Sequence, residues 1–151
     1  MLHTGDTVPD FTLPDQDGTQ RTLSTLLADG PVVLFFYPRA MTTGCTRESC
    51  HFRDLAAEFD EVGARRVGIS ADGVDRQAAF DAAHELGFPL LSDTSKSVAA
   101  EFGVRRPLLP FNKRTTFVID TDRRVLSVIS SETNLDVHAD EALRVLRERA
   151  A

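Results

Sequence analysis

The sequence predicts an α/β fold in which helices flank a mixed central β-sheet. Residues 32–37 are six consecutive apolar residues between Gly30-Pro31 and Pro38, a pattern typical of a strand buried on both faces. A helical pattern and then a second short strand, residues 65–70, follow. This strand-helix-strand order predicts a parallel pair with a right-handed crossover. Two later strands around a polar turn add antiparallel partners, which makes the sheet mixed.

Composition limits the class of protein. With 151 residues and 42% hydrophobic content, we expect one domain, residues 1–151, that buries about 68–70% of its unfolded surface. The formal charge of −6 argues against nucleic acid or an acidic membrane surface as a partner. Residues 1–6 contain neither a basic nor an apolar region, so we expect no signal peptide and no membrane span. Two cysteines are too few for a disulfide framework and indicate functional thiols in a reducing cytoplasm.

The N-terminal part of the chain predicts an extension that precedes the main sheet. Residues 11–13 and 21–23 are short alternating segments on either side of a turn that contains Asp17-Gly18, which indicates a β-hairpin. Residues 24–30 predict a brief helical turn, capped by Ser24 and ended by Gly30.

The helix that follows the buried strand contains both cysteines. It is predicted to begin near Thr42 or Thr43, either of which could act as the cap. Cys45 then lies in the first turn. The apolar positions of this helix recur at helical spacing and are Phe52, Leu55, Ala56 and Phe59.

The helical phase distinguishes the two thiols. At about 100° per residue, Cys45 lies about 20° from the face of Phe52, whereas Cys50 points roughly 140° away. We therefore expect Cys45 to face the core and Cys50 to face water. The positive end of the helix dipole stabilises a first-turn thiol as its anion, so Cys45 is the candidate nucleophile.

The middle of the chain predicts a second amphipathic helix and two short elements. Residues 74–86 form the helix, which Gly87 ends. Residues 89–93 are extended, and residues 97–102 form a short helix that ends at Gly103. The apolar stripe of the longer helix is Val74, Ala78, Ala82 and Leu86.

The C-terminal part predicts a strand hairpin and a final helix. Residues 115–120 and 125–130 are the strands, and residues 140–149 are the helix. The apolar positions of that helix are Ala142, Leu143, Val145 and Leu146. The complete order of elements is that of a thioredoxin-like fold with an N-terminal β-hairpin extension.

The motif Pro38-x-x-x-Thr42-x-x-Cys45, with Glu48 three residues later, resembles the active-site motif of peroxiredoxins. Cys50, five residues after Cys45, resembles the bacterioferritin-comigratory, or peroxiredoxin Q, subfamily. The similarity covers about residues 5–129. It departs at Thr43, where members commonly have proline, and in residues 105–113, which are unusually apolar.

The resemblance implies a thiol peroxidase that reduces hydrogen peroxide and organic hydroperoxides. Cys45 would be the peroxidatic cysteine, which attacks the O–O bond and becomes a sulfenic acid. Cys50 would be the resolving cysteine, which forms a disulfide with Cys45. Thioredoxin or a similar dithiol would recycle the enzyme. No cofactor or metal is implied, and a monomer is expected, with a weak dimer as the alternative.

The resemblance also assigns four supporting residues. Thr42 would hydrogen-bond the peroxide and the sulfur, and Pro38 would shield the sulfur from water. Arg114 would place a guanidinium beside the thiolate, and Glu48 would orient arginine in the pocket. The chemistry itself requires such a cation. A free thiol is only a few per cent thiolate at pH 7, and a helix N-terminus alone lowers a pKa by about one unit.

Two other functions fit parts of the sequence. A thioredoxin-type thiol-disulfide oxidoreductase would have a CxxC pair, and here four residues separate the cysteines. A non-enzymatic copper-binding thioredoxin-like module needs a cysteine pair and a histidine, for which His51 is the only support. We interpret all four histidines as structural or surface residues: His3, His51, His84 and His138.

Overall fold

The computed structural model describes residues 1–109 and 111–151. The chain opens with the expected antiparallel hairpin of β1 (Thr12–Pro14) and β2 (Gln20–Thr22). A short helix, α1 (Leu23–Leu26), and one 3₁₀ turn (Leu27–Asp29) follow.

The predicted cap at Ser24 is wrong, since Ser24 lies inside α1. Its backbone N–H and its hydroxyl both donate to the carboxylate of Asp10, at 2.9 and 2.8 Å. An acceptor outside the helix therefore binds the first turn of α1.

The central sheet has five strands in the order β5-β4-β3-β6-β7. Strand β3 pairs in parallel with β4, which pairs in parallel with β5, while β6 is antiparallel to both β3 and β7. This arrangement confirms the mixed sheet. The strands are β3 (Val32–Phe36), β4 (Arg65–Ser70), β5 (Leu90–Ser92), β6 (Thr115–Ile119) and β7 (Val125–Ser130).

Strand β3 is buried on both of its faces, as the apolar run predicts. Val32, Leu34 and Phe36 pack in one hydrophobic cluster, with the hairpin and the fifth helix of the chain. Val33 and Phe35 pack in a second cluster on the opposite face, together with Cys45. The sheet therefore separates two cores, and the candidate nucleophile belongs to the second.

Five further helices complete the fold. They are α2 (Thr43–Asp54), α3 (Ala56–Glu61), α4 (Val74–His84), α5 (Ser97–Phe102) and α6 (Val137–Ala150). In the part of the chain that the structure describes, none of these helices has the length and apolar character needed to cross a membrane.

The predicted boundaries of α2 and α6 differ from the structure. The helix after β3 is interrupted at Leu55, whose φ of −95° and ψ of 19° separate α2 from α3. Helix α6 begins at Val137, three residues before the predicted start, and buries His138 and Ala139 in its first turn. A buried histidine does not contribute to an apolar pattern, which is why the sequence places this start too late.

The predicted inner face of α4 is confirmed at Leu86, which is buried, but not along the helix itself. Ala82 is exposed, whereas Gln77 and Phe80 are buried. The amide of Gln77 donates to Ser70 Oγ and to the carbonyl of Leu91, each at 3.0 Å. A polar side chain with these partners can occupy the core, so apolar periodicity alone gives the wrong phase.

The predicted end of α4 is also wrong. The helix ends at His84, and Glu85 adopts the left-handed conformation at φ 48°. Gly87 lies beyond that end, although its own φ is also positive at 78°.

Candidate active site

Cys45 lies in the first turn of α2, directly after the loop that leaves β3, and its side chain is completely buried. The helix is fixed on the sheet by Phe52, whose ring stacks on Phe35 with centroids 4.2 Å apart. Phe52 and Cys45 share one helix face, as the phase predicts, so the packing of Phe52 also turns Cys45 inward.

The guanidinium of Arg114 lies beside the sulfur. Its Nη2 atom donates to Cys45 Sγ at 3.5 Å, and its Nη1 atom donates to Glu48 Oε1 at 2.8 Å. Strand pairing brings the two together, since Arg114 immediately precedes Thr115, and Thr115 pairs with Phe36 at the end of β3. Residues distant in sequence therefore meet where β3 leads into α2.

Gly44 permits this close approach. A Cβ atom at position 44 would lie 3.1 Å from Arg114 Nη2 and 3.7 Å from a methyl carbon of Leu135. The missing side chain leaves room for the guanidinium against the first turn of α2. Nothing in the local sequence indicates that Gly44 lies against Arg114.

Glu48 is completely buried one turn after Cys45. Burial raises the pKa of Glu48 to about 8, although the charge and hydrogen bond of Arg114 act in the opposite direction. Burial by itself would lower the pKa of Arg114, but the charges of Glu48 and Cys45 outweigh it and raise that pKa. The cation therefore stays charged inside the protein.

His138 also belongs to this cluster. It is completely buried, with Nδ1 2.8 Å from Thr116 Oγ1 and 3.6 Å from Glu48 Oε2. Burial lowers its pKa below the ordinary value for histidine, and this effect outweighs the hydrogen bond from Nε2 to the Ser131 carbonyl. The sequence-based interpretation of His138 as structural or surface missed its position against Glu48, and no spacing in the sequence indicates it.

Thr42 occupies the N-cap position of α2, with an extended backbone. Its hydroxyl, however, donates to the carbonyl of Arg39 at 2.8 Å, and no side-chain hydrogen bond caps α2. The predicted start of the helix and the cap position of Thr42 are therefore confirmed, but the side-chain hydrogen bond of a capping threonine is absent. The first backbone N–H groups of α2 therefore have no side-chain cap, and unpaired N–H groups at a helix start favour negative charge nearby.

The loop before α2 is held by residues that follow β4. The backbone N–H of Ala40 donates to Asp72 Oδ2 at 2.7 Å, and Arg76 Nη2 donates to the Ala40 carbonyl at 3.0 Å. Ser70 Oγ also donates to Asp72 Oδ2, at 2.7 Å. These hydrogen bonds fix the loop that leads into α2, and they depend on contacts that only the folded chain makes.

Pro38 lines a cavity of about 290 Å³, together with Arg39, Ala71, Asp72 and Phe111. Cys45 is not among the described residues that line this cavity, so the shielding role of Pro38 stays a prediction. Phe111 belongs to the segment of residues 105–113 that departs from the family pattern. Within that segment, Pro110 lies outside the described residues.

Cys50 is half-buried and packs at the edge of the second core cluster, so the expectation that it faces water is wrong. Its side of α2 faces α6. Arg47, one turn before it, bonds to Asp136 at 3.2 Å, and His51 bonds to Asp140 at 2.7 Å. Helix α6 therefore covers a face that the sequence pattern assigns to solvent.

The arrangement is suited to nucleophilic chemistry by sulfur. A thiol at a helix N-terminus with a guanidinium within hydrogen-bond distance is stabilised as the thiolate. In the described part of the chain, no three or more His, Cys, Asp or Glu residues are grouped to hold a metal ion. His51, the histidine on which the copper alternative depends, is engaged by Asp140.

Known proteins resemble this chain in fold and in sequence. The model of the AhpC/TSA family matches residues 4–128. The crystal structure of peroxidoxin BcpB from Mycobacterium tuberculosis is 64% identical, with a TM-score of 0.95, and the match covers 98% of each chain. The chloroplastic peroxiredoxin Q of Sedum lineare is 40% identical over 144 residues, which are 95% of this chain and 77% of that one.

A third relative is the bacterioferritin comigratory protein of Xanthomonas campestris, a protein described by its alkyl peroxide reduction activity. Its structure is 29% identical, with a TM-score of 0.86, and the match covers 97% of this chain and all of that one. The chain belongs to the AhpC/TSA family and is a peroxiredoxin, a thiol-dependent peroxidase.

Proposed function

We propose that Cys45 is the peroxidatic cysteine. The observation that supports this proposal most strongly is the distance of 3.5 Å between Arg114 Nη2 and Cys45 Sγ. Cys45 itself lies in the first turn of α2. The thiolate attacks one peroxide oxygen, the O–O bond breaks, and the sulfur becomes a sulfenic acid. The second oxygen leaves with a proton as water or an alcohol. Arg114 and the free N–H groups of α2 stabilise the charge that moves from sulfur to oxygen.

Cys50 then resolves the sulfenic acid. Its thiol attacks the Cys45 sulfur, an S–S bond forms, and water leaves. Both residues lie within α2 in the reduced protein, and ideal helix geometry separates Cα atoms five residues apart by about 8.7 Å. A disulfide needs roughly 4.4–6.8 Å. The start of α2 must therefore unwind, which takes Cys45 out of the site and exposes the disulfide to a reductant.

The substrates we propose are hydrogen peroxide and organic hydroperoxides. The alkyl peroxide reduction activity of the Xanthomonas campestris relative supports the second class. Thioredoxin or a similar dithiol would recycle the enzyme by disulfide exchange. We propose a monomer, because both redox cysteines belong to one helix of one chain. The cysteine content, two free thiols, supports a reducing cytoplasm.

One set of assays separates this function from the two alternatives. Peroxide consumption coupled to thioredoxin oxidation should be rapid for the wild type and lost in Cys45→Ser, whose hydroxyl has nearly the same size but is a far weaker nucleophile. Insulin reduction would indicate a thiol-disulfide oxidoreductase, and a stoichiometric copper titration would indicate a copper-binding module. Residual peroxide turnover in Cys45→Ser above about a tenth of wild type would exclude Cys45 as the reacting thiol, since losing a catalytic nucleophile costs far more.

A further inference from the structure

The carboxylate of Glu48 has one oxygen with a partner and one without. Oε1 accepts from Arg114 Nη1 at 2.8 Å. Oε2 is buried and has no hydrogen-bond partner among the described residues. Nδ1 of His138, a titratable atom, lies 3.6 Å from it. An ionised carboxylate oxygen without a hydrogen-bond donor is costly in a protein interior. A proton on Glu48 or on His138 would lower that cost.

The hydrogen bonds of His138 define where a proton can be added. Nε2 lies 2.8 Å from the carbonyl oxygen of Ser131. Because a carbonyl oxygen only accepts, Nε2 carries a hydrogen. Nδ1 is therefore the ring atom that can gain a proton, and it faces Thr116 Oγ1 and Glu48 Oε2.

A charge count shows what an added proton changes. With Cys45 as thiolate, Arg114 and an ionised Glu48 leave the buried cluster with one net negative charge. One proton on either Glu48 or His138 makes the cluster neutral. If the proton is on Glu48, the charge of Arg114 balances the thiolate alone. If it is on His138, the imidazolium is a second cation that balances the ionised Glu48. Either outcome offsets the like charge of Glu48 near the sulfur, which favours the ionised form of a thiol.

We propose that His138 is a positioning residue that holds one proton jointly with Glu48, on either Glu48 Oε2 or His138 Nδ1, and so keeps the charge of Arg114 available to the Cys45 thiolate. The inference rests on the proposed role of Cys45 as the reacting thiol. His138 does not touch the sulfur and acts through Glu48 and Arg114.

The charged groups that face the ring are consistent with this assignment. Glu48 faces it from α2, and Arg114 and Glu132 act on it from the segments beside β6 and β7. Glu132 is engaged elsewhere, since its Oε1 accepts from Arg106 Nη2 at 2.6 Å and from the backbone N–H of Arg114 at 3.0 Å. Burial raises the pKa of Glu48 to about 8, so a proton on the pair at neutral pH agrees with its surroundings.

The variant that tests the proposal is His138→Gln, which can bond to neighbouring groups but cannot bind a proton. The thiolate absorbance of Cys45, titrated against pH in a Cys50→Ser background, should move upward by about one pH unit, a tenfold smaller thiolate fraction at a given pH below the midpoint. In a protein that already carries Glu48→Gln, His138→Gln should not move the titration midpoint of Cys45 any further. His51→Gln is the matched control, because His51 also bonds between α2 and α6 but bonds to Asp140.

A second measurement does not depend on a variant or on turnover. Nuclear magnetic resonance of the wild type, with labelled histidine nitrogens and glutamate carboxyl carbons, reports both protonation states at pH 7. The proposal predicts either a neutral Glu48 beside a singly protonated ring or an ionised Glu48 beside a doubly protonated one. An ionised Glu48 beside a singly protonated ring would overturn it.

Two results of the thiolate titration would contradict the proposal. An unmoved midpoint in a folded His138→Gln protein, or an equal shift in the Glu48→Gln background, would show that His138 is structural only. If Cys45 proved not to be the peroxidatic residue, the resonance result would still stand, so failure of the proposed function and failure of this inference are distinguishable.

Discussion

Gly44 and Arg114 are in close contact: a Cβ atom on Gly44 would lie 3.1 Å from Arg114 Nη2. The same nitrogen lies 3.5 Å from Cys45 Sγ. The space left by one missing side chain therefore sets how near the cation comes to the sulfur of Cys45.

Gly44→Ala should slow the reaction with peroxide without destabilising the fold. The new methyl group displaces the guanidinium, and the loss should be roughly tenfold or less, equivalent to about 1.4 kcal/mol or less. Alanine in a helix is meanwhile more favourable than glycine by roughly 0.5–1 kcal/mol. Stopped-flow oxidation and a urea unfolding curve measure the two effects separately.

Gly73→Ala is the matched control for this variant. Gly73 precedes α4 with φ −74°, and a Cβ atom there would have no neighbour within 4 Å. Its peroxide rate should equal that of the wild type. An unchanged rate in Gly44→Ala would show that Arg114 does not depend on this contact.

Glu48 should make the stability of the fold depend on pH. Its pKa is raised by burial from 4.5 to about 8 in the folded protein, so the folded state binds the proton more tightly than the unfolded state does. The stabilisation is fully present below pH 4.5 and is lost as pH rises toward about 8.

The measurement is the free energy of unfolding of the wild type minus that of Glu48→Gln, which cannot titrate. This difference should fall steadily between those two pH values. A difference that rises with pH would mean that Arg114 dominates and that Glu48 is ionised in the folded protein.

The local sequence is sufficient to predict the sheet and the position of Cys45. Strand β3 is apolar throughout and is bounded by Gly30-Pro31 and Pro38, and the phase of Phe52 places Cys45 inward, where the structure has it. These features depend on neighbours in sequence, and their periodicity is visible without the fold.

The remainder of the site depends on polar contacts between distant segments. Gln77 is buried because Ser70 and the Leu91 carbonyl accept from its amide. His138 meets Glu48 only because α6 packs against α2. Apolar periodicity assigns both residues to the surface or leaves them unassigned, since it does not include hydrogen bonds that satisfy a buried polar group.

Oxidation should unfold the start of α2. In the reduced protein this helix is bound by Arg47–Asp136 and His51–Asp140 contacts to α6 and by the buried hydrogen bond from Arg114 to Glu48. Formation of the Cys45–Cys50 disulfide must break several of these, because the helix cannot hold that bond. Amide hydrogen exchange should become markedly faster from Thr43 to about Phe52.

The same sample gives a second observable. On a non-reducing gel the oxidised protein should run as a monomer. Equal exchange rates in both redox states, or a disulfide-linked dimer as the main oxidised species, would show that Cys50 does not resolve Cys45 within one chain.

The most direct test of the proposed chemistry is the intact mass of the protein after one equivalent of hydrogen peroxide. The wild type should lose two hydrogen atoms as Cys45 and Cys50 join, and Cys50→Ser should instead gain one oxygen atom, held as the sulfenic acid of Cys45. Cys45→Ser should keep its original mass. Loss of two hydrogens only as a linked dimer would contradict the intramolecular disulfide, and oxidation of Cys45→Ser at the wild-type rate would contradict the assignment of Cys45 as the peroxidatic cysteine.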